Sequence, residues 1–169
     1  MPWKLALMRH AKSDWAEAGL PDHDRSLNAR GRRDAPEMAR WLADHDALPS
    51  VILASTAKRV EETLERLIKH WRTEPLVIRS GSLYLASPNT ILEHIRCEAI
   101  DTDGERPKRL LVVGHNPGME QLVSSLASLD IAMPTAAIAL FECRAIDPDD
   151  DKAPQVERLL AVGRPKEIL

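Results

Sequence analysis

Short apolar runs alternate along this chain with segments whose apolar residues recur at helical spacing, and that alternation leaves few possible folds. Lys4-Leu5-Ala6-Leu7-Met8, Ser50-Val51-Ile52-Leu53-Ala54, Leu76-Val77-Ile78 and Arg109-Leu110-Leu111-Val112-Val113 read as buried strands. Within residues 29–45, Ala35, Met38, Ala39 and Leu42 share one helical face, and Val60, Leu64, Leu67, Ile68 and Trp71 share the next. A third helix opens at Ser87-Pro88 and runs through Ile91, Leu92 and Ile95, and a fourth surrounds Leu122, Val123 and Leu126. Residues 136–143 and 156–162 finish as strands, separated by the acidic stretch Asp147 to Asp151, which is given no role. A helix after each strand makes neighbouring strands parallel and covers the sheet on its faces. The prediction is an α/β fold: a three-layer sandwich with a mostly parallel central sheet flanked by helices.

Local signals refine this outline. Asn28 is expected to cap the helix over 29–45, and Ser55 or Thr56 the next one. Pro36 is expected to kink the first helix or to mark where its regular part begins. At 169 residues the chain is about one domain's worth of sequence, enough to bury its own core. A net charge of −3 argues against the broad basic face that grips nucleic acid. No apolar run is long enough to span a membrane, and the stretch after Met1 is too short for a signal peptide. Cys97 and Cys143 fit neither a disulfide framework nor a zinc site. The expectation is a cytoplasmic protein that holds no metal and has neither nucleic acid nor membrane as partner.

Function in such sheets gathers at the carboxyl ends of strands. The first strand delivers Arg9-His10-Ala11-Lys12-Ser13, the second Ser55-Thr56-Ala57-Lys58-Arg59, and the strand at 109–113 delivers Gly114-His115-Asn116. An isolated histidine or arginine at such a place usually packs or meets solvent. Two histidines and two arginines converging on one edge are a different matter. Neutral imidazole can attack phosphorus and carry the phosphoryl group covalently. Arginine neutralises phosphoryl oxygens through a bidentate fork whose charge survives any working pH. Other phosphate chemistries lack their residues. There is no Gly-x-x-x-x-Gly-Lys-Ser/Thr loop, and the positions six after each cysteine hold Asp103 and Asp149 instead of the arginine a cysteine phosphatase needs. Neither His-Glu-x-x-His nor Gly-x-Ser-x-Gly occurs.

Leu7-Met8-Arg9-His10-Ala11 resembles the Arg-His-Gly/Ala signature of the histidine phosphatase superfamily. Asp24 to Gly31 resembles that family's Leu-Thr/Asn-x-x-Gly element, Ser55 to Thr63 its Ser-x-x-x-Arg-x-x-x-Thr segment, and Val113-Gly114-His115-Asn116-Pro117 its second-histidine motif. The four occur in family order, and the segment Met133 to Ala139 is most similar to the SixA-type protein-phosphohistidine phosphatases. The resemblance implies one phosphoglycerate-mutase-like domain over 1–169 that uses no cofactor. It implies His10 as the nucleophile, His115 as its catalytic partner, and Arg9 and Arg59 as phosphate ligands. Ser13 and Lys12, on the loop after the nucleophile, are placed to touch the phosphate or its leaving group. Trp15 is expected to anchor its loop more than to wall the pocket. Gly31 is expected to permit close packing, and Asn116 and Pro117 to shape the turn into the next helix.

The pattern departs in one place. Many members of the superfamily carry a glutamate that protonates a leaving alcohol, between the Arg59 helix and the second-histidine strand. Here that stretch reads Gly81-Ser82-Leu83-Tyr84-Leu85-Ala86-Ser87-Pro88, without a carboxylate, and Glu93 falls inside the next helix. General acid help contributes roughly 10²–10⁴-fold, which an alkoxide needs far more than an imidazole. The gap and the short chain therefore point to a metal-independent phosphatase acting on phosphohistidine on a partner protein. A donor elsewhere, Asp14 or Asp22, would instead admit a small phosphorylated substrate, a phosphomonoesterase or mutase reading. A non-catalytic phosphate-binding scaffold is the third reading.

Overall fold

Period-two alternation decides which way each strand faces. In β1 (Trp3–Arg9), Leu5 and Leu7 enter one core, while Ala6 and Met8 enter the other. The computed structural model describes residues 2–144 and 154–168, so the acidic stretch 147–151 lies outside the described residues. β2 (Val51–Ser55), β3 (Leu76–Ser80), β4 (Arg109–Gly114), β5 (Ile138–Cys143) and β6 (Val156–Gly163) join β1 in one sheet, in the order β3-β2-β4-β1-β5-β6. The pairings from β3 to β1 are parallel, and β5 and β6 are added antiparallel.

Helices cover both faces. α1 (Ala29–Asp44) and α2 (Lys58–Trp71) pack Met38, Leu42, Leu64 and Leu67 against the face that holds Met8, Ile52 and Val113. α3 (Pro88–Glu98) and α4 (Gly118–Ala127) pack Ile91, Ile95, Met119 and Leu122 against the face that holds Leu5, Leu53 and Val112. A last short turn, α5 (Pro165–Ile168), lies against α1. The mixed α/β sandwich expected from the alternation is present.

The expected cap forms at Asn28, which accepts the Gly31 N–H at 2.9 Å, and Ser87 at the start of α3 likewise accepts the Thr90 N–H at 3.3 Å. Three local expectations are corrected. α1 already begins at Ala29 and continues through Pro36, so this proline does not mark where its regular part begins. The N-cap of α2 is Ala57, which offers no side-chain acceptor. Ser55 Oγ does accept the Ala57 N–H, but its other contact is His115, and Thr56 Oγ1 is engaged with His23. Finally, β5 starts at Ile138 and not at 136. Ala136 adopts φ 65° and donates its N–H to the carbonyls of Arg9 and His10 at 3.1 and 2.9 Å, so this segment clasps the end of β1.

Candidate active site

The sheet order makes β2, β4 and β1 adjacent, so the polar segments at their carboxyl ends meet although they are far apart in sequence. Arg9, His10, Ser13, Arg59 and His115 all line one cavity of about 300 Å³. Lys12, Trp15, Asp22, Leu85 and Asn116 complete much of its wall.

Backbone packing sets the loop after β1. Thr63 Oγ1, fully buried on α2, accepts the Ala11 N–H at 3.1 Å and donates to the Arg59 carbonyl at 2.7 Å. The start of α1 presses on the same loop. The Asn28 N–H donates to the Lys12 carbonyl at 3.0 Å, and a Cβ on Gly31 would stand 2.3 Å from that carbonyl oxygen. Gly31 is thus the close-packing position expected of it.

His10 is oriented through both ring nitrogens. Nδ1 donates to the Ala11 carbonyl at 2.7 Å, which leaves Nε2 with its lone pair, accepting from Arg59 Nε at 3.1 Å. Burial is the main force pushing the His10 pKa down to about 3; Arg59 and Arg9 add to it, and the bond to the Ala11 carbonyl opposes. His115 is pushed to about 3 as well, by burial first and then by His10 and Arg59. Its Nε2 meets Ser55 Oγ at 2.7 Å and its Nδ1 meets Arg59 Nη2 at 3.2 Å. The two imidazoles lie with ring centres 5.2 Å apart, both neutral near pH 7.

Arg59 is the hub. Besides the two histidines, its Nη1 donates to the Asp22 carbonyl at 2.7 Å and its Nη2 to Asp22 Oδ2 at 3.0 Å. Arg9 spans the other side, with Nη1 on the Met133 carbonyl at 3.2 Å and its buried Nε without a hydrogen bond among the described residues. With Lys12 on the rim, three cations face one carboxylate and two neutral imidazoles. That balance suits a phosphoryl dianion.

The remaining candidates separate clearly. Ser13 is buried and accepts from Trp15 Nε1 at 3.1 Å. Trp15 both anchors and walls: its ring lies 4.1 Å under the Arg25 guanidinium, yet it stays 61% exposed at the cavity mouth. Asn116 reaches back to the Met133 carbonyl at 2.9 Å, and its Oδ1 accepts the Glu120 N–H in the first turn of α4. Asp14 caps the Ala16 N–H and does not line the cavity, and Glu93 is exposed on α3. Of the two carboxylates weighed in place of the missing glutamate, Asp14 and Asp22, only Asp22 lines the cavity. Tyr84, the chain's one tyrosine, comes from the carboxylate-free 81–88 stretch and donates its hydroxyl to Asp22 Oδ2. Nothing in the local sequence pairs these two residues, 62 positions apart. Among the described residues, no cluster of three or more His, Cys, Asp or Glu is placed to hold a metal ion, and no helix is long and apolar enough to cross a membrane.

Comparison with known proteins agrees with this geometry. Residues 5–81 match the histidine phosphatase superfamily (branch 1). An uncharacterized protein of Mycobacterium tuberculosis is 37% identical over 120 residues, covering 71% of this chain and 70% of its own. A crystal structure from Agrobacterium tumefaciens, assigned as a phosphohistidine phosphatase SixA, shares 28% identity with a TM-score of 0.75, over 95% of this chain and 99% of that one. The protein histidine phosphatase SixA complexed with tungstate has the same fold, at 20% identity and a TM-score of 0.77, over 98% and 99% of the two chains.

Proposed function

We propose, since this chain belongs to branch 1 of the histidine phosphatase superfamily, that it is a metal-independent phosphatase whose preferred substrate is phosphohistidine on a partner protein. The whole chain, 1–169, acts as one domain in this reading. His10 Nε2 takes the phosphoryl group. Arg9 and Arg59 hold the phosphoryl oxygens, Ser13 lies at the edge of their site, and His115 donates to the transferring group once the bound dianion has raised its pKa.

The observation that carries the chemistry is the tautomer of His10. Its Nδ1 is committed to the Ala11 carbonyl, so Nε2 faces Arg59 and the cavity as an unprotonated nucleophile. The substrate class is supported by the rim. Trp15 and Leu85, 61% and 53% exposed, stand at the mouth as large apolar surfaces of the kind that partner proteins cover. The SixA assignment of the Agrobacterium structure points the same way. A second reading, a small phosphate ester or phosphomutase substrate, is favoured by one specific observation, the Asp22 carboxylate in the wall.

Replacing His10 with Ala is expected to abolish hydrolysis of an aryl phosphate while the circular dichroism stays native. Full retained activity would remove the assignment. A panel of phosphohistidine proteins against sugar and nucleotide phosphates separates the two substrate readings, and labelled phosphate trapped on His10 excludes a non-catalytic scaffold.

A further inference from the structure

We infer that Asp22 is the general base of the second half-reaction, activating the water that removes the phosphoryl group from His10, and that Tyr84 holds it for that task. This rests on the covalent reading above. It concerns a step that none of the four motif residues Arg9, His10, Arg59 and His115 can perform. Once Nε2 carries the phosphoryl group, His10 has no free lone pair. The arginines cannot accept a proton, and His115 is donating to the phosphoryl oxygens.

Asp22 has the required position. Its Oδ2 and the His10 Nε2 both bind the same Arg59 guanidinium, so the carboxylate stands one guanidinium away from the nucleophilic nitrogen. Oδ2 is doubly occupied, by Arg59 Nη2 and by the Tyr84 hydroxyl, which fixes the plane of the carboxylate. Oδ1 makes no hydrogen bond among the described residues, in a side chain that lines the cavity and is 38% exposed. It is a carboxylate oxygen left free in a residue of the cavity wall. Tyr84 is itself positioned by two edge contacts, with His115 at 5.2 Å and His23 at 4.9 Å between ring centres. Its hydroxyl and Arg59 keep the Asp22 carboxyl below its usual range, so the group is a base throughout neutral pH.

The step balances. Water oxygen bonds to phosphorus while Asp22 Oδ1 takes one of its protons. The phosphorus–Nε2 bond breaks and its electron pair returns to Nε2, restoring neutral His10 with Nδ1 still protonated. The products are hydrogen phosphate and a protonated Asp22, which loses its proton to solvent. An aryl phosphate has a leaving group good enough to need no acid, so on that substrate loss of Asp22 should slow only the second half.

The test is rapid-quench kinetics on Asp22→Asn with an aryl phosphate. Asn keeps the shape and an oxygen that can accept from Arg59 and Tyr84. The variant is expected to release a burst of about one aryl alcohol per site and to accumulate acid-labile phosphate on His10. Its steady-state rate should fall by about 10²–10⁴-fold, the ordinary worth of general base help. Tyr84→Phe should show the same accumulation in milder form, and Asp22→Glu should restore part of the second step. If Asp22→Asn instead loses the burst and the turnover together with no accumulated phosphoenzyme, Asp22 merely positions Arg59 and the inference falls. Phosphoenzyme hydrolysis at the wild-type rate would overturn it equally. If neither wild type nor variant ever labels His10 while hydrolysis proceeds, the covalent reading fails as well, a result distinct from either of these.

Discussion

Thr63→Val isolates the contact that ties the nucleophile loop to the helix bearing Arg59. Valine matches threonine in shape, so packing is preserved and only the hydroxyl is lost. Two hydrogen bonds disappear. The one donated to the Arg59 carbonyl costs little, because that carbonyl also accepts from the amide of residue 63 in the turn of α2. The other leaves the Ala11 N–H buried with no partner, and a buried unsatisfied donor costs about 1–3 kcal/mol. For a domain of this size that corresponds to a melting temperature about 2–12 °C lower. The same loss loosens residue 11, whose carbonyl holds His10 Nδ1 at 2.7 Å. Misplacing a reacting group by about 1 Å costs up to about 100-fold in rate, so kcat on an aryl phosphate should fall toward that limit. Urea unfolding and steady-state kinetics measure the two effects on one preparation. A midpoint unchanged at constant slope, with kcat also unchanged, would refute the claim that this hydroxyl supports both the fold and the site.

Other predictions concern packing and protonation. Gly31→Ala drives a Cβ against backbone atoms of Lys12 at 2.3 and 2.9 Å, which cannot swing aside, so it should destabilise by about 3 kcal/mol or more. Gly81→Ala meets nothing within 4 Å and serves as the control; equal stability of the two variants would contradict the packing argument. Stability should fall as pH drops from about 6.5 toward 3. In that window unfolded chains protonate His10 and His115 while the folded protein keeps both neutral, so the unfolded state binds more protons. Each histidine contributes a slope of about 1.4 kcal/mol per pH unit well inside the window. His115→Gln should reduce the measured slope, and an identical slope in wild type and variant would argue against the depressed pKa.

Much of the architecture was legible because its causes are local. Runs such as Leu110-Leu111-Val112-Val113 are apolar on both faces, as strands between two helix layers must be, and Asn28 and Ser87 cap the helices that follow them. Arg9, His10, Arg59 and His115 were legible because Arg9 ends β1, His10 and His115 follow directly on strands, and Arg59 sits in the first turn of the helix after β2, all at the sheet's carboxyl edge. Cap assignment at α2 failed for an equally physical reason. Ser55 and Thr56 are suitable acceptors, but tertiary partners, His115 and His23, claim their hydroxyls.

The sequence by itself determined the layer architecture, the helix faces and which strand-end residues meet in the cavity, because periodicity and strand-end position are properties of a few neighbouring residues. Only the tertiary structure decided that β2, β4 and β1 lie side by side, that Ala136 clasps the end of β1, and that a carboxylate enters the cavity at all. Asp22 and Tyr84 are 62 residues apart and belong to no common motif. Their meeting depends on how the loop after β1 and the turn after β3 pack around Arg59, a long-range arrangement that no local pattern encodes.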